Sequence, residues 1–178
     1  AQTQAGKQGR DSTLNYGTNP CSEIILRDKQ FCNLSEVVVR STDTEATLTK
    51  KIVLATILGT IQSTLTDFKF LSHEWKQNTS EERLLGVSLT GIMDAKITSK
   101  PDPKMLERLR NVARKTNEKY AKILDVPVSA SITCVKPSGT VSQLVDSASG
   151  IHARHNDFYI RTIRMDKKDP IYNFLKDK

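Results

Sequence analysis

The chain has 178 residues, 37% apolar and 26% charged, enough for one domain or a large piece of one whose core a partner would help complete. Its 27 basic and 20 acidic residues leave a charge of +7, which fits nucleic acid, nucleotide phosphates or an acidic partner; the cations are dispersed, however, and suit a solvated surface equally well. No apolar run reaches about 18 residues, which excludes a membrane-spanning helix, and the three cysteines lack the C-x-x-C spacing of a metal site.

Residues 1–14 read as a flexible lead-in, polar and rich in Gly and Gln, with the character of neither a signal peptide nor a transit helix. Residues 15–22 are turn formers and predict a loop. The short apolar run at 23–26 predicts the start of a strand, and the β-branched stretch at 31–39 a second extended piece. A long helix is expected over 45–68, where Leu54, Leu58, Ile61 and Leu65 mark one face. Residues 84–92 are apolar and Gly-bounded, a buried strand. Pro101 and Pro103 open another helix, with Leu106, Leu109, Ala113, Thr116, Tyr120 and Ile123 on its face and Pro127 beyond its end. Strands are expected at 128–135 and 158–163, and a short helix at 141–145. Strands alternating with helices argue for a parallel α/β organisation, in which chemistry collects in loops at strand ends.

Three constellations have the residue types for chemistry. In Asn19-Pro20-Cys21-Ser22-Glu23, an amide, a thiol and a carboxylate alternate, so an extended backbone would turn all three to one side; Cys32 follows eleven positions after Cys21. The bland reading is a plain turn with a small buried thiol and a surface acid. Lys136-Pro137-Ser138-Gly139-Thr140-Val141 joins a strand to a helix, where free N–H groups attract phosphate and Gly139 permits close approach; an ordinary capped turn explains it as well, and it is not a Walker A loop. Ser149-Gly150-Ile151-His152, with Arg154 and His155, is a Gly-bounded loop whose histidines suit catalysis, phosphate binding or simple exposure. His73 reads as helix-end packing or surface, and Cys134 as a buried structural thiol. The odd cysteine count makes a reducing, cytoplasmic setting the default.

Together these pieces resemble the large subunits of ribonucleotide reductases. Asn19-Pro20-Cys21-Ser22-Glu23-Ile24-Ile25-Leu26 looks like the family's finger-loop motif, and Phe31-Cys32-Asn33-Leu34-Ser35-Glu36-Val37 like its second cysteine element. The close spacing of the two cysteines is similar to that of the adenosylcobalamin-dependent class. Gly86-Val87-Ser88-Leu89-Thr90-Gly91, Val135-Lys136-Pro137-Ser138-Gly139-Thr140-Val141-Ser142 and Ser149-Gly150-Ile151-His152 with Tyr159-Ile160-Arg161 follow in the family's order. The resemblance covers residues 15–165.

The resemblance implies an α/β fold, with 15–178 forming part of the family's ten-stranded barrel around a central finger loop. It implies that Cys21 carries a thiyl radical, that Glu23 accepts the 3′-OH proton and that Asn19 orients the sugar hydroxyls. Cys32 would supply electrons together with a second thiol, and Pro137, Ser138, Gly139, Thr140 and Val141 would hold the substrate phosphates. Adenosylcobalamin is the implied cofactor. The implied partners are a ribonucleoside di- or triphosphate, a complementary chain or barrel portion and, indirectly, a thioredoxin-like reductant. The family's enzymes are several times longer, and the cysteine that pairs with the counterpart of Cys32 has no equivalent here, so the chain is expected as a fragment or one piece of a split enzyme. Two alternatives stand beside this: a diiron-dependent reductase, disfavoured because Tyr159 and Tyr172 are not adjacent, and a non-enzymatic basic domain that binds nucleotides or a partner.

Overall fold

The computed structural model describes residues 1–160 and 162–177. In chain order the elements are α1 (Gln2–Lys7), β1 (Tyr16–Thr18), β2 (Ile25–Arg27), β3 (Asn33–Val38), α2 (Glu45–Gln62), α3 (His73–Glu82), β4 (Leu85–Thr90), a 3-10 turn (Ile92–Asp94), α4 (Lys96–Ser99), α5 (Pro103–Ile123), α6 (Thr140–Leu144) and α7 (Pro170–Lys176). β1 and β2 form an antiparallel hairpin, and β3 and β4 a parallel pair in the register Leu34↔Gly86 and Glu36↔Ser88. A third extended segment joins β4 through a parallel bridge between Val87 and Thr133. Helices and strands are mixed as the sequence predicts, with one parallel strand pair and one antiparallel hairpin; a ten-stranded barrel is not seen among the described residues.

Local signals fix the two long helices. The Thr44 side chain accepts from the Thr47 N–H while Thr47 reciprocates, a capping box that starts α2. The Asp102 carboxylate accepts from the Lys104 and Met105 N–H groups, and Pro103 occupies the first turn of α5. Both helices pack on one face of the parallel strands, where Val37, Val39, Leu85 and Val87 meet Leu48, Ile52, Met105, Leu109 and Ala113. A Cβ at Gly59 would lie 3.5 Å from Leu85, so α2 sits close to β4. Inside the α2–α5 seam, Asn117 is fully buried; its amide donates to Thr60 Oγ1 and Ser129 Oγ, both at 3.0 Å, and its carbonyl accepts the Ser129 N–H.

Several expectations need correction. α2 ends at Gln62 rather than 68, where the Ser63 hydroxyl turns back to the Thr60 carbonyl. Its buried face is Leu48, Ile52, Thr56, Gly59 and Thr60, and the stripe of Leu54, Leu58, Ile61 and Leu65 is exposed. The threonines reach the core because each hydroxyl donates to the carbonyl one turn back. The buried face of α5 runs through Met105, Leu109, Ala113, Thr116, Asn117 and Ala121, while Leu106 and Ile123 are exposed. No strand forms over 158–160 or 162–163, and Arg161 lies outside the described residues. Residues 1–14 contain helix α1, and their Arg10 is buried. None of the described helices is long and apolar enough to cross a membrane.

Replacing Asn117 by Ala strands the Ser129 N–H in the seam and removes the donor to the Thr60 and Ser129 hydroxyl oxygens. It is expected to lower the unfolding free energy by about 2–4 kcal/mol, read as a lower urea midpoint with an unchanged slope.

Candidate functional site

The hairpin loop carrying Asn19, Cys21 and Glu23 is closed by its own backbone. The Asn19 N–H donates to the Ile24 carbonyl at 3.2 Å, and Asn19 Oδ1 accepts the Ile24 N–H at 3.1 Å. Ser22 takes φ 64°, a left-handed turn that brings its N–H to the Asn19 carbonyl at 2.9 Å. The side-chain oxygen of Asn19 is therefore spent on shaping the loop, which leaves its NH2 group for a ligand. Cys21 is exposed at the loop tip. Glu23 is half-buried, and its Oε2 is shielded from solvent with no hydrogen-bond partner among the described residues. The loop thus gathers the three predicted residues but gives them different environments: thiol outward, carboxylate inward.

The inward side of the loop rests on the sheet face opposite the helices. Leu34 sits over Gly86, where a Cβ would collide with it and lie 3.0 Å from the Cys134 sulfur and 3.3 Å from Ile24 Cδ1. Gly86 therefore lets the hairpin, β3 and the 131–135 segment close over β4. Cys134 is half-buried on this face rather than sequestered in a core. Burial pushes the Cys32 thiol up to about 12, assisted by the negative charges of Cys134 and Glu23. Burial likewise raises Cys134 to about 12, with Glu23 adding to the shift and Lys136 opposing it. Cys32, Cys134 and Glu23 are thus within electrostatic reach of one another, a grouping that sequence distance hides. Further along the same face the Glu36 carboxylate is nine-tenths buried, with both oxygens unpartnered except for Lys136 Nζ at 4.0 Å. In the sequence Glu36 stands only as part of the Phe31–Val37 motif, with no role assigned to it.

Lys136 opens the predicted phosphate turn, and its N–H donates to Ser88 Oγ at 2.9 Å. Pro137, Gly139, Thr140 and Val141 are exposed, whereas Ser138 is buried with its hydroxyl unpartnered. The expected helix follows as α6, starting one residue earlier, at Thr140. A Cβ on Gly139 would meet nothing within 4 Å, so the turn is open on that side. The Ser149 hydroxyl donates to the Ser138 carbonyl, which fastens the 149–152 loop to the turn. Arg154 is committed to Asp94 and Asp146 at 3.1 and 2.8 Å. Burial alone would raise the Asp94 carboxyl, but hydrogen bonds from Arg154 and the Ala148 N–H outweigh it and hold the group below its ordinary range. His152 and His155 are exposed. The apolar cavity of about 390 Å³ lined by Ile52, Leu89, Leu106 and Leu109 belongs to the helix side and holds no acid–base pair.

The hairpin itself is held by Arg10, a residue the sequence reading passes over. Its guanidinium donates to both Glu82 oxygens at 2.8 and 2.7 Å, to the Ile25 carbonyl at 2.7 Å and to Gln30 Oε1 at 3.3 Å, and it lies 4.5 Å from the centre of the Tyr16 ring. Glu82 is 72 positions away, too far for any local sequence signal.

The environments order the thiols by reactivity. Iodoacetamide is expected to modify exposed Cys21 first in the folded protein. The rates at Cys32 and Cys134 should keep rising with pH toward about 12, because only the thiolate reacts and burial withholds it. Peptide mass spectrometry across a pH series checks this; equal labelling of the three near neutral pH would contradict it.

No family model matches the chain. Relatives carry the likeness instead. The chain is 26% identical over 190 residues to the adenosylcobalamin-dependent ribonucleoside-triphosphate reductase of Lactobacillus leichmannii, covering 90% of this chain and 25% of that protein. It is 29% identical over 192 residues to the reductase of the same name from Lactobacillus acidophilus, with the same coverage. A crystal structure of a B12-dependent (class II) ribonucleotide reductase superposes with a TM-score of 0.62 at 26% identity, over 76% of this chain and 22% of the other. The resemblance read from the motifs is borne out, and the chain spans about a quarter of the length of the curated relatives it matches.

Proposed function

We propose that this chain is the part of a class II ribonucleotide reductase that carries the radical loop and the phosphate turn, within a ten-stranded barrel completed by further polypeptide. The observation that carries the reading is the hairpin: it presents Cys21 at its tip and turns Glu23 onto the sheet face that Cys32 shares. The relatives' names support a triphosphate substrate and adenosylcobalamin as the source of the radical. The described residues include none that we assign to cobalamin binding, the three histidines all being exposed, so the steps below belong to this chain's own side chains.

A C3′–H bond is too weakly acidic for a general base, whereas S–H and C–H bonds are close enough in strength for a sulfur radical to take the hydrogen atom. Cys21, as the radical, abstracts it. Glu23, unpartnered and shielded, takes the 3′-OH proton as the 2′-OH leaves as water. The Asn19 NH2 orients the sugar hydroxyls. Net reduction consumes two electrons and two protons from a thiol pair, which closes to a disulfide, and the hydrogen taken from C3′ is returned. The raised Cys32 keeps its proton near neutrality and so acts as the S–H donor of that pair. Its partner thiol is supplied by the completing polypeptide, and a thioredoxin-like dithiol resets the disulfide. Backbone N–H groups around Ser138 to Val141 receive the phosphates. Exposed Tyr159 and half-buried Tyr172 give the diiron alternative no support, and nothing favours a non-enzymatic basic domain.

The test is turnover of ribonucleoside triphosphate with adenosylcobalamin and a dithiol. The chain alone is expected to give none; supplied with the rest of a class II barrel it should turn over, and Cys21→Ser should abolish this. Gly139→Val, whose Cβ would meet no other atom of the ligand-free chain within 4 Å, should raise KM about tenfold or more by blocking phosphate approach. Repeated turnover by the chain alone, or turnover that survives Cys21→Ser, would contradict the reading.

A further inference from the structure

Pro137, Ser138, Gly139, Thr140 and Val141 include no cationic side chain, and α6 behind them is five residues long, too short for its dipole to balance a polyphosphate. Two nearby cations are already engaged. Arg40 donates to the Val145 and Asp146 carbonyls at 2.5 and 2.6 Å, and Arg154 pairs with Asp94 and Asp146, so both sit at the far end of α6 from the turn. Lys136 is placed differently. Its N–H donates to Ser88 Oγ, and Ser88 is the register partner of Glu36, so the three residues form a polar row across β3, β4 and the third segment. The Lys136 ammonium stands 4.0 Å from Glu36 Oε2, close enough for Coulomb attraction and too far for a hydrogen bond. It makes no hydrogen bond to any of the described residues. The two side chains are 22 and 9% exposed, and both carboxylate oxygens are unpartnered. A carboxylate so far from water is costly unless a cation offsets it; Lys136 supplies that offset and keeps its N–H donors open. Beyond burial, the Cys134 thiol feels Glu23, Lys136 and Glu36. The segment thus runs from Cys134, within reach of Glu23, past Lys136 to the phosphate turn.

We propose that the Lys136 ammonium binds the phosphate group next to the ribose, with buried Glu36 as its counter-charge in the empty site. The inference rests on the function proposed above and adds a residue that reading leaves unassigned. A ribonucleotide whose sugar lies over Cys21 and Glu23, and whose outer phosphates reach Ser138 to Val141, passes Lys136 at its 5′ phosphate. That phosphate accepts the hydrogen bonds Glu36 is too distant to take, and such charge-assisted bonds are each worth about tenfold or more in affinity.

The experiment begins with calorimetric titration of the 178-residue chain with inorganic triphosphate. Lys136→Met alone strands Glu36 and should lower the urea midpoint; adding Glu36→Gln should restore it, because no buried charge is then left unpaired. The folded double variant is expected to bind triphosphate about tenfold or more weakly. Lys115→Met, which removes the same net charge from an exposed site on α5, should leave binding unchanged. In a completed class II barrel, the double variant should raise KM for the ribonucleoside triphosphate about tenfold with kcat little changed. Competitive inhibition by adenosine monophosphate should weaken by the same factor, and inhibition by adenosine not at all. No binding of triphosphate by the chain overturns the proposal, as does equal loss in Lys115→Met. So does weaker adenosine inhibition, which marks a damaged fold, or unchanged monophosphate inhibition, which places Lys136 at the outer phosphates. Binding that follows Lys136 without turnover in the completed barrel would leave the phosphate contact standing and sink the function; turnover with KM unchanged in the double variant would do the reverse.

Discussion

A single buried guanidinium holds the candidate site together. Arg10, its side chain 1% exposed, binds Glu82 at the end of α3, the carbonyl of Ile25 in the hairpin and Gln30 ahead of β3. Gln30 closes the circuit by donating to Glu82 and to the Asn78 carbonyl while accepting the Arg27 N–H. A two-stranded hairpin is barely stable by itself in water, so the position of the Cys21 loop over the sheet follows from this cluster. Burial opposes ionisation of Glu82, and hydrogen bonds from Arg10 and Gln30 overcome it, leaving the carboxyl below its ordinary value. That contribution to stability is present above the ordinary carboxylate range and is lost as acid protonates Glu82. Removing either partner would leave the other charge buried, a costlier change than losing a surface ion pair.

The parallel strands divide the chain's chemistry between two faces. Val37 of β3 and Leu85, Val87 and Leu89 of β4 enter an apolar core with α2 and α5, which anchors the strands that support the site. The even-numbered side face carries Gly86, Ser88, Cys32 and Glu36, joined by Cys134 and Lys136 from the third segment and by Glu23 from the hairpin. Such a concentration of unpartnered carboxylate and protonated thiol would be a poor core. On the function proposed above it would form one wall of a chamber completed by further polypeptide.

Much of this is legible in the sequence. The order and spacing of Cys21, Cys32 and the Pro137–Val141 turn carry the family likeness, and Pro101 and Pro103 mark where α5 begins. What escapes is whatever depends on a partner distant in the chain. Apolar periodicity identifies a side of α2 that wants burial, yet the sheet takes the side with Gly59 and Thr60 because small residues allow close approach. α3 has no apolar period to announce it, and its role emerges only through the Arg10–Glu82 pair. Cys134 joins the thiol face because the 131–135 segment lies beside β4, a pairing that no local pattern encodes.

The central claim is that Cys21 takes a hydrogen atom from C3′ of a ribonucleotide. The most direct measurement is the fate of deuterium placed at that carbon in a ribonucleoside triphosphate, incubated with adenosylcobalamin, a dithiol and the chain within a complete class II barrel. The account predicts slower turnover than with the protiated substrate and partial washout of the label to solvent through the Cys21 thiol, both absent in Cys21→Ala. Deoxyribonucleotide formed without an isotope effect, or washout that persists in Cys21→Ala, would contradict it.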